Sequence, residues 1–166
     1  MAGVPANSPD KNALALAILR IAVGVLFLIF AEYKVVGTQF TLHGGFQFWI
    51  NRFLQDGAYP FMRPVLTNVV LPYATPLAFL VAYGELAIGL SLVSGVLVRA
   101  ASFSGLLFML SLLFSANYPG ANAPLWQYFG ASLEHSVLAL CFLAFLVGRS
   151  ETSLSLASFR SKRVSA

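Results

Sequence analysis

Long apolar stretches alternate with short polar segments along most of this chain. Four of the stretches carry few or no charges and run for about 17 to 25 residues, the length of helix that crosses the hydrocarbon core of a bilayer. They cover residues 13–31, 72–97, 100–116 and 125–147. The pattern predicts an all-α, polytopic membrane protein built as a bundle of four transmembrane helices.

The first stretch could be mistaken for the apolar region of a secretory signal peptide. It is long for such a region, contains Arg20, and continues into Glu32 and Lys34 without a small-x-small cleavage site. We therefore expect a retained helix.

The connection between the first two stretches, residues 35–71, is too apolar for a structureless loop of that length. Within Gly45–Gln55, apolar side chains recur at helical spacing with polar side chains between them. The apolar positions are Phe46, Trp49, Ile50, Phe53 and Leu54. This pattern predicts a short amphipathic helix that lies in the membrane interface.

Composition and charge support a membrane protein and indicate its orientation. Hydrophobic residues make up 58% of the chain and charged residues 10%, against about 25% charged residues in an average soluble domain. The basic residues are mostly scattered singly, so the net charge of +4 does not indicate a nucleic-acid partner. Their distribution indicates the orientation of the chain in the membrane. One side of a four-helix serpentine carries Lys11, Arg20, Arg99, Arg149, Arg160, Lys162 and Arg163, and the other carries Lys34, Arg52 and Arg63. The bias predicts a cell (inner or plasma) membrane protein with two cytoplasmic tails, residues 1–12 and the basic 149–166, around a transmembrane domain over 13–148.

The residue inventory argues against a bound cofactor. The single cysteine, Cys141, rules out a disulfide or CxxC pair within the chain, and the two histidines, His43 and His135, are poorly placed to ligate haem. No Cys/His cluster has metal-ligand spacing, and no phosphate-binding loop or nucleophile elbow is present. We expect no haem or metal.

Glu85 is the only charged residue between Arg63 and Arg99, near the middle of an apolar stretch. A carboxylate at bilayer depth is costly to place there, so it is by default a functional-site hypothesis. Its neighbours on the helix face are all small: Ala78, Ala82 and Gly89. Small faces pack against other helices, which directs Glu85 into the bundle. The alternative is a structural carboxylate whose bonds only set the helix register.

Further charges in the apolar stretches also have a structural alternative. Arg20 is close enough to the cytoplasmic edge to snorkel to it. Glu32 and Lys34 end the first helix on the outer side, where a surface ion pair between them is the structural interpretation.

Glu134 and His135 lie about a third of the way into the fourth stretch from the outer side. A carboxylate beside an imidazole at that depth suits proton transfer. A proton route from the outer surface through these two residues towards Glu85 is therefore a hypothesis.

Several short motifs occur in this chain in the order in which they occur in one protein family. They are Leu19-Arg20-Ile21 with Gly24, Tyr83-Gly84-Glu85-Leu86 with Gly89, and Gly95-Val96-Leu97-Val98-Arg99. Over roughly residues 14–148 the chain resembles the DoxX family of small four-helix membrane proteins. Asn117-Tyr118-Pro119-Gly120 and Glu134-His135 look closer to its DoxD-like branch, the small subunit of thiosulfate:quinone oxidoreductase. The resemblance implies a membrane subunit of a respiratory or sulfur-linked electron-transfer assembly that works with quinone and a separate redox protein.

The leading hypothesis is therefore the quinone-facing membrane part of an oxidoreductase, with quinone as substrate and other subunits and the lipid bilayer as partners. Glu85 is the candidate proton-handling residue, and Glu134 and His135 are the candidate relay. The candidate binding residues are Arg20, Glu32, Lys34, Trp49, Arg99, Asn117 and Trp126. Two alternatives stay open: a non-catalytic scaffold of a larger membrane complex, and an oligomeric conductor of protons or small solutes.

Overall fold

A computed structural model describes residues 11–148, 150 and 153–155, and the regular elements among them are all helical. They are α1 Lys11–Val36, α2 Thr38–Thr41, α3 Gly45–Gln55, α4 Met62–Val65, a π-helical turn Leu66–Val70, α5 Ala74–Ser94, α6 Val98–Ser115, α7 Leu125–Gly130 and α8 Leu133–Val147. In the described part of the chain, α1, α5 and α6 are long and apolar enough to cross a membrane, and α8 is a shorter apolar helix. Residues 1–10 and most of 149–166, the predicted tails, lie outside the described residues.

Side chains are distributed as in a protein surrounded by lipid. Arg20 and Glu85 are buried, with 0% and 6% of their surface exposed, whereas Ile29, Leu80 and Leu140 on outward faces are 60%, 67% and 65% exposed. Charged groups inside and large apolar groups outside suit a solvent that is itself apolar. The fold is therefore that of a multi-pass membrane protein.

The helices pack chiefly as two pairs, α1 with α5 and α6 with α8. In the first pair the backbones meet at Gly24 and Gly89. A methyl group on Gly89 would lie 2.8 Å from Leu28 Cδ2 and 3.1 Å from the Gly24 carbonyl oxygen. The small face predicted for α5 is thus buried against α1, and Ala78 and Ala82 on that face are fully buried.

We call the end of the bundle that holds residues 95–97 the turn end, and the opposite end, with residues 37–73 and 116–132, the loop end. Gly95 and Leu97 adopt left-handed φ values of 75° and 55°, which reverse the chain between α5 and α6. These two helices are in contact, as their short connection predicts, although each has its larger interface with α1 or α8.

The loop end has a core of its own. The segment from α2 to the π-helical turn folds over α5, and the resulting cluster of buried residues is Phe40, Phe46, Ile50, Ala58, Leu66, Ala74, Ala78 and Ala82. A second cluster, nearer the turn end, contains Val23, Phe27, Ile88, Leu92, Met109 and Phe142. Glu85 lies on α5 between Ala82 of the first cluster and Ile88 of the second.

The fourth apolar stretch is not one helix. The prediction of a continuous span over 125–147 is wrong because the chain breaks at Ser132, between α7 and α8. The Ser132 hydroxyl accepts a hydrogen bond from the Asn117 side chain at 3.1 Å, and the Ser136 hydroxyl donates to the Phe129 carbonyl at 2.9 Å. These side-chain hydrogen bonds compete with the backbone hydrogen bonds of a continuous helix, and they satisfy polar groups where the helix is interrupted.

Candidate functional site

A buried ion pair joins α1 to α5. Lys34 Nζ donates to both carboxylate oxygens of Glu85, at 2.5 Å to Oε1 and 2.6 Å to Oε2. The side chains are 17% and 7% exposed, so the pair is reached more easily from the lysine side. A buried charge is tolerated when it is both paired and hydrogen-bonded, and Glu85 meets both conditions.

The antiparallel packing of α1 and α5 explains why these two residues meet. Gly24 and Gly89 lie at the same level. Lys34 is about 15 Å further towards the loop end along α1, and Glu85 only about 6 Å further along α5, at 1.5 Å per residue. Side chains on a helix tilt towards its N-terminus. Lys34 therefore leans down from the loop end while Glu85 leans up towards it, and the long lysine side chain spans the difference.

Arg20 does not snorkel, so that prediction is wrong. Its side chain is fully buried, and Nη2 donates to the carbonyl oxygens of Leu154 at 2.8 Å and Ser153 at 3.3 Å. Because a returning segment of the same chain supplies these acceptors, the guanidinium has no need to reach the surface. Arg20 therefore belongs to the turn end and not to the Lys34–Glu85 pair.

Glu134 and His135 are in the first turn of α8, at the loop end, because the chain breaks just before them. They begin a helix, so the prediction that they lie a third of the way along one is wrong. His135 Nδ1 lies 3.3 Å from Glu134 Oε1, an ion-pair distance without hydrogen-bond geometry, and the two side chains are 23% and 67% exposed. Within the described ranges, no hydrogen bond or ion pair joins either residue to Glu85.

The remaining predicted residues are dispersed. Glu32 is exposed, and the structural alternative of a surface pair with Lys34 is not what forms, because Lys34 bonds to Glu85 instead. Residues two apart on a helix point in different directions. Arg99 is exposed in the first turn of α6, at the turn end. Asn117 bonds to Ser132 at the loop end. Trp49 on α3 and Trp126 on α7 are 46% and 69% exposed.

Phe40 is a contact of the pair that the sequence analysis did not single out. Its ring centroid lies 5.1 Å from Lys34 Nζ. The chain contains 15 phenylalanines, and nothing in the local pattern distinguishes this one from the others. Only the folding of α2 back over the end of α1 brings it to the ammonium.

Tyr59 is a second residue without a sequence signal. It is 7% exposed, its backbone N–H donates to the Phe114 carbonyl at 3.1 Å, and its hydroxyl donates to the Tyr128 carbonyl at 3.2 Å. Its ring packs on Phe114 and Tyr118 with centroids 5.2 and 4.9 Å away. Burial, helped by the charge of the neighbouring tyrosines Tyr128 and Tyr118, raises the pKa of Tyr59. Tyr59 therefore ties three segments of the loop end together as a neutral side chain.

Over the residues that the structure describes, the fold is that of an all-helical, multi-pass membrane protein in which an ammonium–carboxylate contact joins two of the long helices. Among the described residues, no group of three or more His, Cys, Asp or Glu side chains could hold a metal ion. The family model DoxX matches residues 15–117, more than half of the chain, and the chain belongs to the DoxX family. The match includes Lys34 and Glu85 and ends before Glu134 and His135. No curated protein and no solved structure matches the chain significantly.

Proposed function

We propose that this DoxX protein is the membrane subunit of a quinone-linked oxidoreductase or electron-transfer assembly, in which the Lys34–Glu85 pair handles protons. The observation that carries the proposal is the pair itself, an ammonium and a carboxylate in contact at 2.5 Å between two membrane helices. Ionisable groups inside membrane segments are rare and commonly mark proton or substrate paths.

The chemistry of the pair suits quinone reduction, which consumes protons. An ammonium has three N–H donors, and the two oxygens of Glu85 accept two of them. One donor of Lys34 can then bond to a quinone carbonyl oxygen and pass its proton to the quinone, while the separate redox protein of the assembly supplies the electrons. Glu85 is a carboxylate in the pair, so it would return a proton to the neutral amine after taking one up from the loop end. The lysine side of the pair is the more exposed, so a quinone ring would approach from there.

The proposal includes a placement in the membrane. α8 would be the fourth span, although its 15 residues extend only about 22 Å, less than the roughly 30 Å hydrocarbon core. α3 would lie in the interface, with Trp49 directed to the headgroup level. The bias of basic residues favours an orientation in which the turn end and both termini would lie in the cytoplasm, in an inner or plasma membrane. Glu134 and His135 would then stand where protons enter from outside.

A non-catalytic scaffold is the second candidate, and the completeness of the pair favours it. Both oxygens of Glu85 are satisfied by Lys34, as expected of a pair that only sets the register of α1 against α5. A scaffold would assemble a larger complex whose activity does not depend on any charge in this chain.

The deciding experiment compares Glu85→Gln with Asp56→Asn in the full-length protein. Asp56 is the matched control because it is an exposed carboxylate at the end of α3, with Arg52 as its ion-pair partner. Tagged wild type and variants are purified from native membranes in mild detergent. Co-purifying proteins are identified by mass spectrometry and co-purifying quinone by chromatography. Turnover is measured on the membranes as the reduction of decylubiquinone or menadione with thiosulfate as the electron donor.

We expect Glu85→Gln to accumulate normally but to lose quinone-dependent turnover, while Asp56→Asn keeps it. Full turnover in Glu85→Gln would reject the proton-handling role. A stable multi-subunit complex whose activity survives substitution of both Lys34 and Glu85 would support the scaffold instead.

A further inference from the structure

The face of an aromatic ring lies beside the Lys34 ammonium. Nζ lies 5.1 Å from the centroid of Phe40, inside the roughly 6 Å range of cation–π attraction. The same nitrogen contacts both oxygens of Glu85. Such an attraction is stronger where water is scarce, and Phe40 itself is 4% exposed. The ring and the carboxylate therefore hold one and the same ammonium.

Phe40 is in turn fixed by its own segment. Its ring meets Phe46 of α3 edge to face, with centroids 5.7 Å apart and planes at 79°. A ring nitrogen of His43 lies 3.1 Å from the Thr38 carbonyl oxygen, which ties the end of α2 to its start. A methyl group on Gly45 would lie 2.9 Å from the Phe40 Cα, so the start of α3 presses directly on α2. Residues 37–45, which we call the α2 cover, are thus one packed unit.

We infer that Phe40 is a positioning residue for the pair: its ring keeps the ammonium of Lys34 on the carboxylate of Glu85. The α2 cover then sets how often the pair opens towards the loop end. The consequence for turnover rests on the proposed function, but the position of the ammonium can be measured without any turnover.

The test replaces Phe40 by mono-, di- and trifluorinated phenylalanine in the full-length protein. Fluorination withdraws electron density from the ring face and leaves the shape of the side chain nearly unchanged, so it weakens a cation–π contact without opening a cavity. The readout is labelling of Glu85 by the hydrophobic carbodiimide dicyclohexylcarbodiimide, quantified on the Glu85 peptide by mass spectrometry.

We expect labelling to rise step by step, by about tenfold between phenylalanine and its trifluorinated form, which corresponds to about 1.4 kcal/mol. The matched control is the same series at Phe48, which faces outward on α3 with 64% of its surface exposed and should change nothing. Phe40→Leu should raise labelling strongly, and Phe40→Trp, which restores a ring face, should keep it low.

Equal labelling across the fluorinated series, in proteins of unchanged thermal stability, would overturn the role of Phe40. Labelling of Glu85 that rises with each added fluorine, together with full quinone turnover in Glu85→Gln, would support the positioning role of Phe40 and reject the proposed function. The two ideas can therefore fail separately.

Discussion

Arg20 on α1 donates a hydrogen bond to the carbonyl oxygen of Leu154, 134 positions later in the chain, at 2.8 Å. Gly95 in the α5–α6 turn makes room for this contact. A methyl group there would lie 2.5 Å from Arg20 Nη1 and 2.5 Å from Ser155 Cβ. The segment 153–155 is consequently part of the packed turn end, with Ser155 2% exposed.

Replacement of this arginine should destabilise the protein. Arg20→Met removes the donor to the part-buried carbonyl oxygens of Ser153 and Leu154. A hydrogen bond to a charged group contributes about 1.5–3 kcal/mol. Thermal unfolding can be followed with a thiol-reactive dye, because Cys141 is the single cysteine. Arg52→Met, which breaks only an exposed 3.0 Å pair with Asp56, should cost less than about 1 kcal/mol. An Arg20→Met protein as stable as wild type would contradict a stabilising role for the hydrogen bonds between Arg20 and residues 153–154.

Two glycines on α5 should respond in opposite ways to the same substitution. Gly89→Ala inserts a methyl group against Leu28 and the Gly24 backbone, and overpacking of this kind costs about 1–3 kcal/mol. Gly84→Ala meets nothing within 4 Å and gains helix propensity, so its effect should lie between zero and about 1 kcal/mol of stabilisation. Unfolding of the two purified variants in one detergent makes the comparison. Equal melting temperatures would mean that α1 and α5 are not in close contact.

The Lys34–Glu85 pair should show strong energetic coupling. Lys34→Met leaves a buried carboxylate without a cation, and loss of one partner of a buried pair costs about 3–5 kcal/mol. The double variant Lys34→Met/Glu85→Gln removes that stranded charge and should be more stable than Lys34→Met alone. A double-mutant cycle of unfolding free energies measures the coupling. Additive effects of the two substitutions would indicate that the side chains are not paired in the folded protein.

Tyr59 should make stability depend on alkaline pH. Because burial raises its pKa in the folded state, the folded protein holds the phenolic proton more tightly than the unfolded chain does. This contribution is complete below about pH 10, the ordinary tyrosine value, and is lost as the pH rises through the raised pKa. The free energy of unfolding should therefore fall more steeply above about pH 10 in wild type than in Tyr59→Phe.

The control for this prediction is Tyr73→Phe, since Tyr73 is 62% exposed. The free energy of unfolding of Tyr73→Phe should change with alkaline pH as it does in wild type. If the free energy of unfolding of Tyr59→Phe also changes with pH as in wild type, the phenol of Tyr59 does not titrate differently in the folded and unfolded protein.

Local pattern predicted much of the helical framework. α5 and α6 lie within three residues of their predicted bounds, and α3 occupies the stretch with amphipathic spacing. The small residues beside Glu85 correctly directed it inward. The pattern predicted one continuous helix over 125–147, but the helix is interrupted at Ser132, whose hydroxyl accepts a hydrogen bond from the Asn117 side chain. Hydropathy does not detect such an interruption. The pattern also failed at Arg20, because the backbone acceptors of the guanidinium come from a distant segment.

The amino-acid sequence by itself determined that the chain is helical, that it resides in a membrane, and that Glu85 points into the bundle. The first two follow from the length and low charge of the apolar stretches, and the third follows from the small residues that share a helix face with Glu85. All of these are properties of single helices. Only the tertiary structure decided which cation meets Glu85 and which ring covers that cation. Lys34 and Glu85 are 51 positions apart, and their contact depends on the close approach of α1 and α5 at glycines and on the opposite tilt of side chains on antiparallel helices. No local pattern encodes those relationships between helices.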